Sequence, residues 1–276
     1  MGIAKNGQLY TMLNNGIEMP LLGLGVYDMY GDEAVNAVKT AIDIGYRLID
    51  TAEMYSNEQQ IGKAIKESEI DRAELFVTTK VNNTSQGYEN TLRAFDKSLE
   101  ILDLEYVDLY LIHWPIKGKR KETWKAIEKI YASGRAKSIG TGNYLLPFLR
   151  ELEEYADIVP AVNQIEFSPY LNMKDELGYC QLKDIQLQAY TPLSRGKKFD
   201  DPKLLAMGKK YGKTPAQIIL RWAVQQEIST IPKSSNSFRL KENFNIFNFQ
   251  IDEGDISLMN KFDERLRLID NPMEMF

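Results

Sequence analysis

The sequence predicts an α/β fold, a (β/α)8 TIM barrel with an N-terminal β-hairpin and an extra C-terminal helix, and three observations carry that expectation. Short apolar runs alternate with amphipathic segments along nearly the whole chain, with no linker between them. Three successive runs end in residues that are costly to bury: Tyr46 to Asp50 delivers a carboxylate with Tyr55 beyond it, Leu75 to Thr79 delivers Lys80, and Tyr106 to Ile112 delivers His113. In a parallel barrel those strand ends face one mouth, where chemistry is done. The third observation is length. At 276 residues the chain suits one barrel of about 250 residues, and a single domain spanning 1–276 is expected.

Each element has a local reason. Gln8 to Leu13, a turn at Asn14-Asn15-Gly16 and Ile17 to Met19 read as a hairpin that plugs one end of the fold. Leu21 to Gly25 is the first barrel strand, followed by a helix capped by Asp32 with apolar residues at Ala34, Val35, Val38, Ala41 and Ile42. After the Tyr46 strand, Ser56 and Gln59 have the spacing of a capping box for a helix carrying Ile61, Ala64 and Ile65. The Lys80 strand leads to a helix over Tyr88 to Leu102, and the His113 strand to one around Trp124 to Tyr131. Lys137 to Gly140 precedes a helix at Leu145 to Tyr155, and Val159 to Ile165 one at Lys174 to Leu182. Ile185 to Tyr190 is followed by helices at Pro202 to Tyr211 and Thr214 to Gln226, where Thr214, Pro215 and Gln217 fit N-cap, N1 and N3. Ile228 to Ile231 is the eighth strand, with a helix from Ser237. A last helix over Glu253 to Arg265 and the tail to Phe276 lie outside the barrel.

Composition bounds the partners. A net charge of −5 gives no reason to expect nucleic acid or an anionic membrane as a partner. Cys180 is the only cysteine, so no internal disulfide forms, which suits a reducing cytoplasm. The N-terminus lacks an apolar signal core and no stretch is long enough to span a bilayer. A cytoplasmic monomer acting on a small molecule is expected.

The dinucleotide fingerprint is absent. Gly23 to Asp28 (GLGVYD) and Gly140 to Leu145 (GTGNYL) each begin like it and fail at the third glycine, which permits close packing of helix on strand. The chemistry lies instead with Asp50, Tyr55, Lys80 and His113. A free phenol, with a pKa of about 10, donates poorly at neutral pH unless its anion is stabilised. A neighbouring ammonium does that, and a buried ammonium needs a carboxylate such as Asp50. His113 would then orient a substrate carbonyl toward the phenol. Singly, each residue has a plain structural reading: Asp50 as a capping carboxylate, Tyr55 as one of fifteen tyrosines, Lys80 in an ion pair, His113 as a satisfied core histidine. Their shared position at successive strand ends favours a joint chemical role. A hydride, however, comes from no side chain and implies a cofactor.

After the eighth strand, IPKSSNSFRLKEN gathers Lys233, Ser234 and Arg239 around a helix start. Two cations, a hydroxyl and free backbone N–H groups suit a phosphate, at the place where barrels often bind one.

The segments DTAEMY, TTK, LIHWP, VNQIEFSPY, QAYTPL and IPKS, with Arg239, Glu242 and Asn243, resemble the aldo-keto reductase family over almost the whole chain. The resemblance implies NADPH bound extended across the barrel mouth, a small carbonyl substrate, Tyr55 as proton donor, Lys80 with Asp50 as its activators, and His113 for carbonyl orientation. It implies Asn143 and Gln164 on the nicotinamide carboxamide and Tyr190 stacked on the ring. Lys233, Ser234 and Arg239 would hold the 2′-phosphate, Glu242 and Asn243 the adenine end, and Leu193 and Ser194 the loop over the pyrophosphate. Gly25, Val26 and Tyr27 complete the expected cofactor contacts, and Tyr27, Asn82 and Trp114 join Tyr55 and His113 around the substrate.

Two departures stand out. The family usually has a serine where this chain has Gly142, which removes one hydrogen bond, worth about 0.5–1.5 kcal/mol. It often has a tryptophan where this chain has Asn82, so the pocket should be wider or more polar there. With a short loop after His113 and a brief tail, the expectation is a shallow pocket of broad specificity. Two other readings stay open at this level: a barrel aldolase forming a Schiff base on Lys80, and an NADPH-binding redox sensor or regulatory partner.

Overall fold

Eight parallel strands form the centre of the computed structural model, which describes residues 3–5 and 7–275. A three-stranded antiparallel sheet precedes them: β1 (Ile3–Lys5), β2 (Gln8–Met12) and β3 (Glu18–Pro20). The hairpin expected from the sequence is β2 and β3, and β1 is an added strand on its edge. Its Leu13 and Met19 are buried among the barrel-lining Leu48, Phe76, Leu109 and Ala161. The hairpin therefore plugs the N-terminal end, and the opposite end is left for chemistry.

The barrel strands follow in chain order: β4 (Leu24–Gly25), β5 (Leu48–Asp50), β6 (Phe76–Val81), β7 (Val107–Ile112), β8 (Ala136–Gly142), β9 (Val162–Glu166), β10 (Gln186–Tyr190) and β11 (Ser229–Thr230). Parallel bridges Leu22↔Thr230 and Gly25↔Lys233 join the first strand to the last and close the ring. Closure at that seam needs a glycine, since a Cβ on Gly25 would lie 2.8 Å from the Ile231 carbonyl oxygen. The intervening helices are α1 (Gly31–Ile44), α2 (Glu58–Glu67), α3 (Tyr88–Leu102), α4 (Arg120–Ala132), α5 (Leu146–Glu153), α6 (Lys174–Leu182), α7 (Pro202–Tyr211), α8 (Pro215–Gln225) and α9 (Ser237–Phe244). Their apolar faces pack against the outer strand residues in one continuous core that includes Val38, Ile61, Phe95, Trp124, Phe148 and Trp222. Full burial of each such side chain contributes about 1.5–3 kcal/mol.

Three local expectations are corrected. Asp32 lies in the first turn of α1, while Tyr30 is the N-cap; the carboxylate still faces the positive end of the helix dipole. Ser56 does not open a capping box with Gln59. It is a left-handed residue ending the short 3-10 turn Glu53–Tyr55, and α2 begins at Glu58. The Asn57 N-cap makes no capping bond because its amide is spent elsewhere: Nδ2 donates to the Val26 and Met29 carbonyls and Oδ1 accepts from Thr51. The last long helix stops early, as α10 (Glu253–Met259), followed only by the short α11 (Pro272–Met275). Between them the backbone N–H groups of Glu264 and Leu266 donate to the Tyr170 carbonyl, and Asp263 accepts from the Asn172 N–H. Those tertiary bonds replace the helical ones. The capping box at Thr214 and Gln217 is formed as expected. Phe276, named in the sequence as the end of the tail, lies outside the described residues. Among the described residues no helix is long and apolar enough to cross a membrane.

Candidate active site

Side chains alternate along β6, and the alternation sorts its polar residues. Thr79 turns outward, where its hydroxyl donates to the buried Glu58 of α2 at 2.6 Å. Lys80 turns inward and is fully buried. Its Nζ donates to Asp50 Oδ1 at 2.6 Å, to the Thr51 carbonyl at 2.9 Å and to the Tyr55 hydroxyl at 3.4 Å. Asp50 is the last residue of β5, and Tyr55 is delivered by the 3-10 turn that follows it. His113, just past β7, stands edge-on to the Tyr55 ring with centroids 5.5 Å apart. The structure thus brings together the four residues singled out in the sequence.

The electrostatics follow from burial. Removal from water draws Asp50 upward and Lys80 downward in pKa, and each is pulled back by the other. His113 is held well below its ordinary value by burial and by the Lys80 charge, so its imidazole is neutral. Tyr55 corrects the sequence reading. Burial, the Asp50 charge and Tyr27 push its pKa well above 10, whereas the sequence suggested that Lys80 would acidify it. The ammonium is nearer to Asp50, at 2.6 Å, than to the phenol, at 3.4 Å. The phenol therefore keeps its proton through the neutral range and yields it only to a strong base.

Behind these groups lies a hydrogen-bond chain that the sequence did not single out. Gln164 Nε2 donates to Asp50 Oδ2 and to Gln188 Oε1, both at 2.7 Å, and Gln188 Nε2 donates to Ser229 at 3.1 Å. Gln188 lies two positions before Tyr190 on the same inward face, and that period was the available signal. Glu53 was also missed. Its carboxylate accepts from the Asn82 N–H at 2.8 Å and the Ser85 hydroxyl at 2.7 Å, tying the turn that carries Tyr55 to the loop after Lys80.

The remaining candidates fall into two groups around the rim. Asn143, in the left-handed region with φ 63°, donates from Nδ2 to the His113 carbonyl at 2.9 Å and accepts at Oδ1 from Tyr190 at 2.7 Å. Its side chain is already committed, and a carboxamide would share the second lone pair of Oδ1. Tyr27 is exposed and meets the Tyr55 ring edge-on at 5.2 Å, while Asn82 and Trp114 are half-buried. Gly25 and Val26 are buried beneath them.

The second group lies beyond β11. Lys233 and Arg239 are exposed and in no ion pair among the described residues, and Ser234 is buried beside them. The N–H of Arg239 is capped by Asn236. Two unpaired cations beside a hydroxyl fit an anionic group such as the 2′-phosphate of NADPH. Asn243 is buried, and the Glu242 carboxylate accepts from Thr214 at 2.6 Å, so this acid also braces the start of α8. Leu193 and Ser194 lie in the turn after β10, where the Ser194 hydroxyl donates to Ser168 at 3.2 Å.

Gly142 reveals why no serine stands there. A Cβ would lie 2.8 Å from both the Ile112 and the His113 carbonyl oxygens, so the backbone has closed over the space. Gly142→Ser should therefore cost about 1–3 kcal/mol of stability. Thermal unfolding checks this, and an unchanged Tm would contradict it.

A barrel with a buried lysine–aspartate pair, a phenol and a neutral imidazole at its C-terminal mouth has the make-up of a barrel enzyme. The Aldo/keto reductase family model matches residues 22–264, and the chain belongs to that family of oxidoreductases. It is 48% identical over 264 residues to the glyoxal reductase of Bacillus subtilis (strain 168), covering 95% of this chain and 96% of that one. It is 44% identical over 268 residues to the 9,11-endoperoxide prostaglandin H2 reductase of Trypanosoma cruzi (strain CL Brener), covering 96% and 95%. Among solved structures, an aldo-keto reductase complexed with NADPH matches with a TM-score of 0.91 at 35% identity, covering 96% of this chain and 91% of that one.

Proposed function

We propose that this protein reduces small aldehydes and ketones to alcohols with NADPH, Tyr55 donating the proton. The observation that carries the reading is the Lys80 ammonium, 2.6 Å from Asp50 and 3.4 Å from the Tyr55 hydroxyl, beside a neutral His113. When bound, the nicotinamide supplies the hydride that no side chain can. Tyr55 holds a proton that the forming alkoxide is basic enough to take, and Lys80 stabilises the phenolate left behind. His113, being neutral, offers a hydrogen bond to the carbonyl oxygen without competing as an acid. Lys233, Ser234 and Arg239 supply the charge and hydroxyl for the 2′-phosphate. Gln164 and Asn143 would hold the carboxamide, with Tyr190 against the ring.

The relatives named for glyoxal and prostaglandin H2 reduction support a carbonyl-type substrate, and the exposed Tyr27 with α4 starting as early as Arg120 supports an open pocket of broad specificity. The proposed setting is a monomer in a reducing cytoplasm, in keeping with a single buried thiol, Cys180, that burial pushes up to about 12. A Schiff-base role for Lys80 is disfavoured by its three acceptors, which hold the nitrogen as an ammonium.

The test is loss of NADPH absorbance with a panel of glyoxal, methylglyoxal, a sugar aldehyde and an aromatic aldehyde, with NADH for comparison. The expected result is oxidation of NADPH in preference to NADH. Arg239→Ala should raise the KM for NADPH by about tenfold, as for a lost charge-assisted bond of about 1.5–3 kcal/mol, at unchanged kcat. Failure to oxidise NADPH with any carbonyl would end the proposal.

A further inference from the structure

Two carboxylates flank Tyr55 in the chain, and both are bonded to the segment that carries Lys80. Glu53, before the phenol, accepts from the Asn82 N–H at 2.8 Å and the Ser85 hydroxyl at 2.7 Å. Glu58, after it, accepts from the Thr79 hydroxyl at 2.6 Å and from Ser98 of α3 at 3.2 Å. Thr79 precedes Lys80, while Asn82 and Ser85 follow it. The turn that carries the phenol is therefore tied to β6 on both sides of the ammonium. At 3.4 Å, the bond to the Tyr55 hydroxyl is the longest of the three that Lys80 Nζ makes, and the two ties fix the backbones from which both side chains reach.

Glu58 has a feature that a mere tie does not explain. It is 4% exposed and in no ion pair among the described residues. A glutamine would keep both contacts, accepting from Thr79 and donating to Ser98, without burying a charge. The cation that this charge faces is Lys80. Burial raises the Glu58 pKa, the Thr79 and Ser98 bonds lower it, Glu53 raises it and Lys80 lowers it. On the other side, burial draws Lys80 down, and Asp50 and then Glu58 draw it back. Thr79 points outward and Lys80 inward, so the barrel wall and not water lies between the two charges and screens them weakly. Asp50, Tyr55 and His113 also face Lys80, and Tyr110 of β7, itself facing Glu53 and Asp96, also faces Glu58. Lys80 is the only cation among these groups.

We infer that Glu53 and Glu58 are positioning residues, a clamp that holds the Tyr55 hydroxyl against the Lys80 ammonium, with Glu58 adding its negative charge behind that ammonium. The inference rests on the reductase reading and deepens it, since it names what sets the one contact on which proton delivery depends. Even a buried carboxylate ionises by about pH 9, so Glu58 is charged in the alkaline range where the coupled Lys80 and Tyr55 protons are lost. Removing its charge lets both protons leave more readily, and the alkaline fall of kcat then moves toward neutrality.

The experiment compares Glu53→Ala, Glu53→Gln, Ser85→Ala and Glu58→Gln with the parent, each first checked for folding by circular dichroism. Glu67→Gln, which removes an exposed carboxylate from the same helix α2, is the control. Hydrogen exchange of a peptide covering 51–57 reads the clamp without any cofactor. It should quicken by about tenfold in Glu53→Ala as local opening becomes easier, and less in Ser85→Ala, which removes one of the two Glu53 bonds. In steady-state reduction Glu53→Ala should lower kcat by about tenfold to a hundredfold, as for a small misplacement of a reacting group, at unchanged KM for NADPH. Glu53→Gln, which still accepts hydrogen bonds, should recover most of that loss. Glu58→Gln should move the alkaline fall of kcat down by about one pH unit, and Glu67→Gln should not move it. Unchanged exchange in both Glu53→Ala and Ser85→Ala overturns the clamp, and faster exchange at the parent's kcat overturns its positioning role. An alkaline fall that stays in place in Glu58→Gln, or moves equally in Glu67→Gln, overturns the role of the charge. A Glu58→Gln protein that does not fold overturns it too, since the carboxylate would then serve the fold. A parent that reduces no carbonyl fails the underlying reading, which the exchange data distinguish from failure of the clamp.

Discussion

Tyr55→Phe should lower kcat for carbonyl reduction by about 10²–10⁴-fold, the usual contribution of a positioned general acid, while NADPH binding stays unchanged. The substitution removes one oxygen from a half-buried ring that meets Tyr27 and His113 edge-on. Ring packing survives, so loss of activity would report the proton and not the fold. The pH profile sharpens the test. Burial, Asp50 and Tyr27 hold the phenol well above its ordinary value, and His113 lies well below its own. Neither group changes charge near neutrality. The parent's reductive kcat should accordingly be flat through the neutral range and fall only in strong alkali, as Tyr55 loses the proton it must give. A Tyr55→Phe variant as fast as the parent would remove the phenol from its proposed role, and an acid-side fall that follows His113 protonation near neutrality would contradict the neutral imidazole.

Much of this arrangement is legible in the sequence. The β6 and β7 runs are almost wholly buried, and such apolar runs announce strands covered on both faces. Lys80 and His113 drew attention because each follows a run in which a polar group is costly. What escaped was whatever depends on partners distant in sequence. The bond from Gln164 to Asp50 joins residues 114 positions apart, and that from Leu268 to Glu166 spans 102. No local pattern encodes either one. Ser56 and Gln59 show the opposite failure: the spacing of a capping box was present, but Asn57 had already been claimed by the barrel loop. The direction of the Tyr55 shift escaped for a related reason. The sequence paired Lys80 with Asp50, but did not show how much nearer the ammonium lies to the carboxylate, at 2.6 Å, than to the phenol, at 3.4 Å.

That closer partner leads to the largest expected effect on stability. Lys80→Met should destabilise the protein by about 3–5 kcal/mol, because removing one member of a buried pair leaves the other charge uncompensated. Lys80 and Asp50 are 0% and 2% exposed and 2.6 Å apart, so water cannot take the place of the lost partner. A surface pair would cost only about 0–1 kcal/mol. Urea unfolding at neutral pH measures the difference, and a loss below about 1 kcal/mol would contradict the burial and pairing described for this site. The variant should also show a distinct pH response. Burial alone already raises the Asp50 pKa, and Lys80 is the main group lowering it, so its removal raises the folded value further. An acid whose folded pKa exceeds its unfolded one contributes stability below the unfolded pKa and loses it as pH rises through the folded one. Lys80→Met should thus regain stability relative to the parent on mild acidification, as Asp50 takes up a proton. Replacing both partners, Asp50→Leu with Lys80→Met, removes the desolvation cost of both charges and should restore stability to near the parent's. Reductase activity should not return with it, since the ammonium beside Tyr55 is gone. A double variant that is stable and inactive would show that the pair is retained for its chemistry; one that stays as unstable as Lys80→Met would show that the pair is retained for the fold.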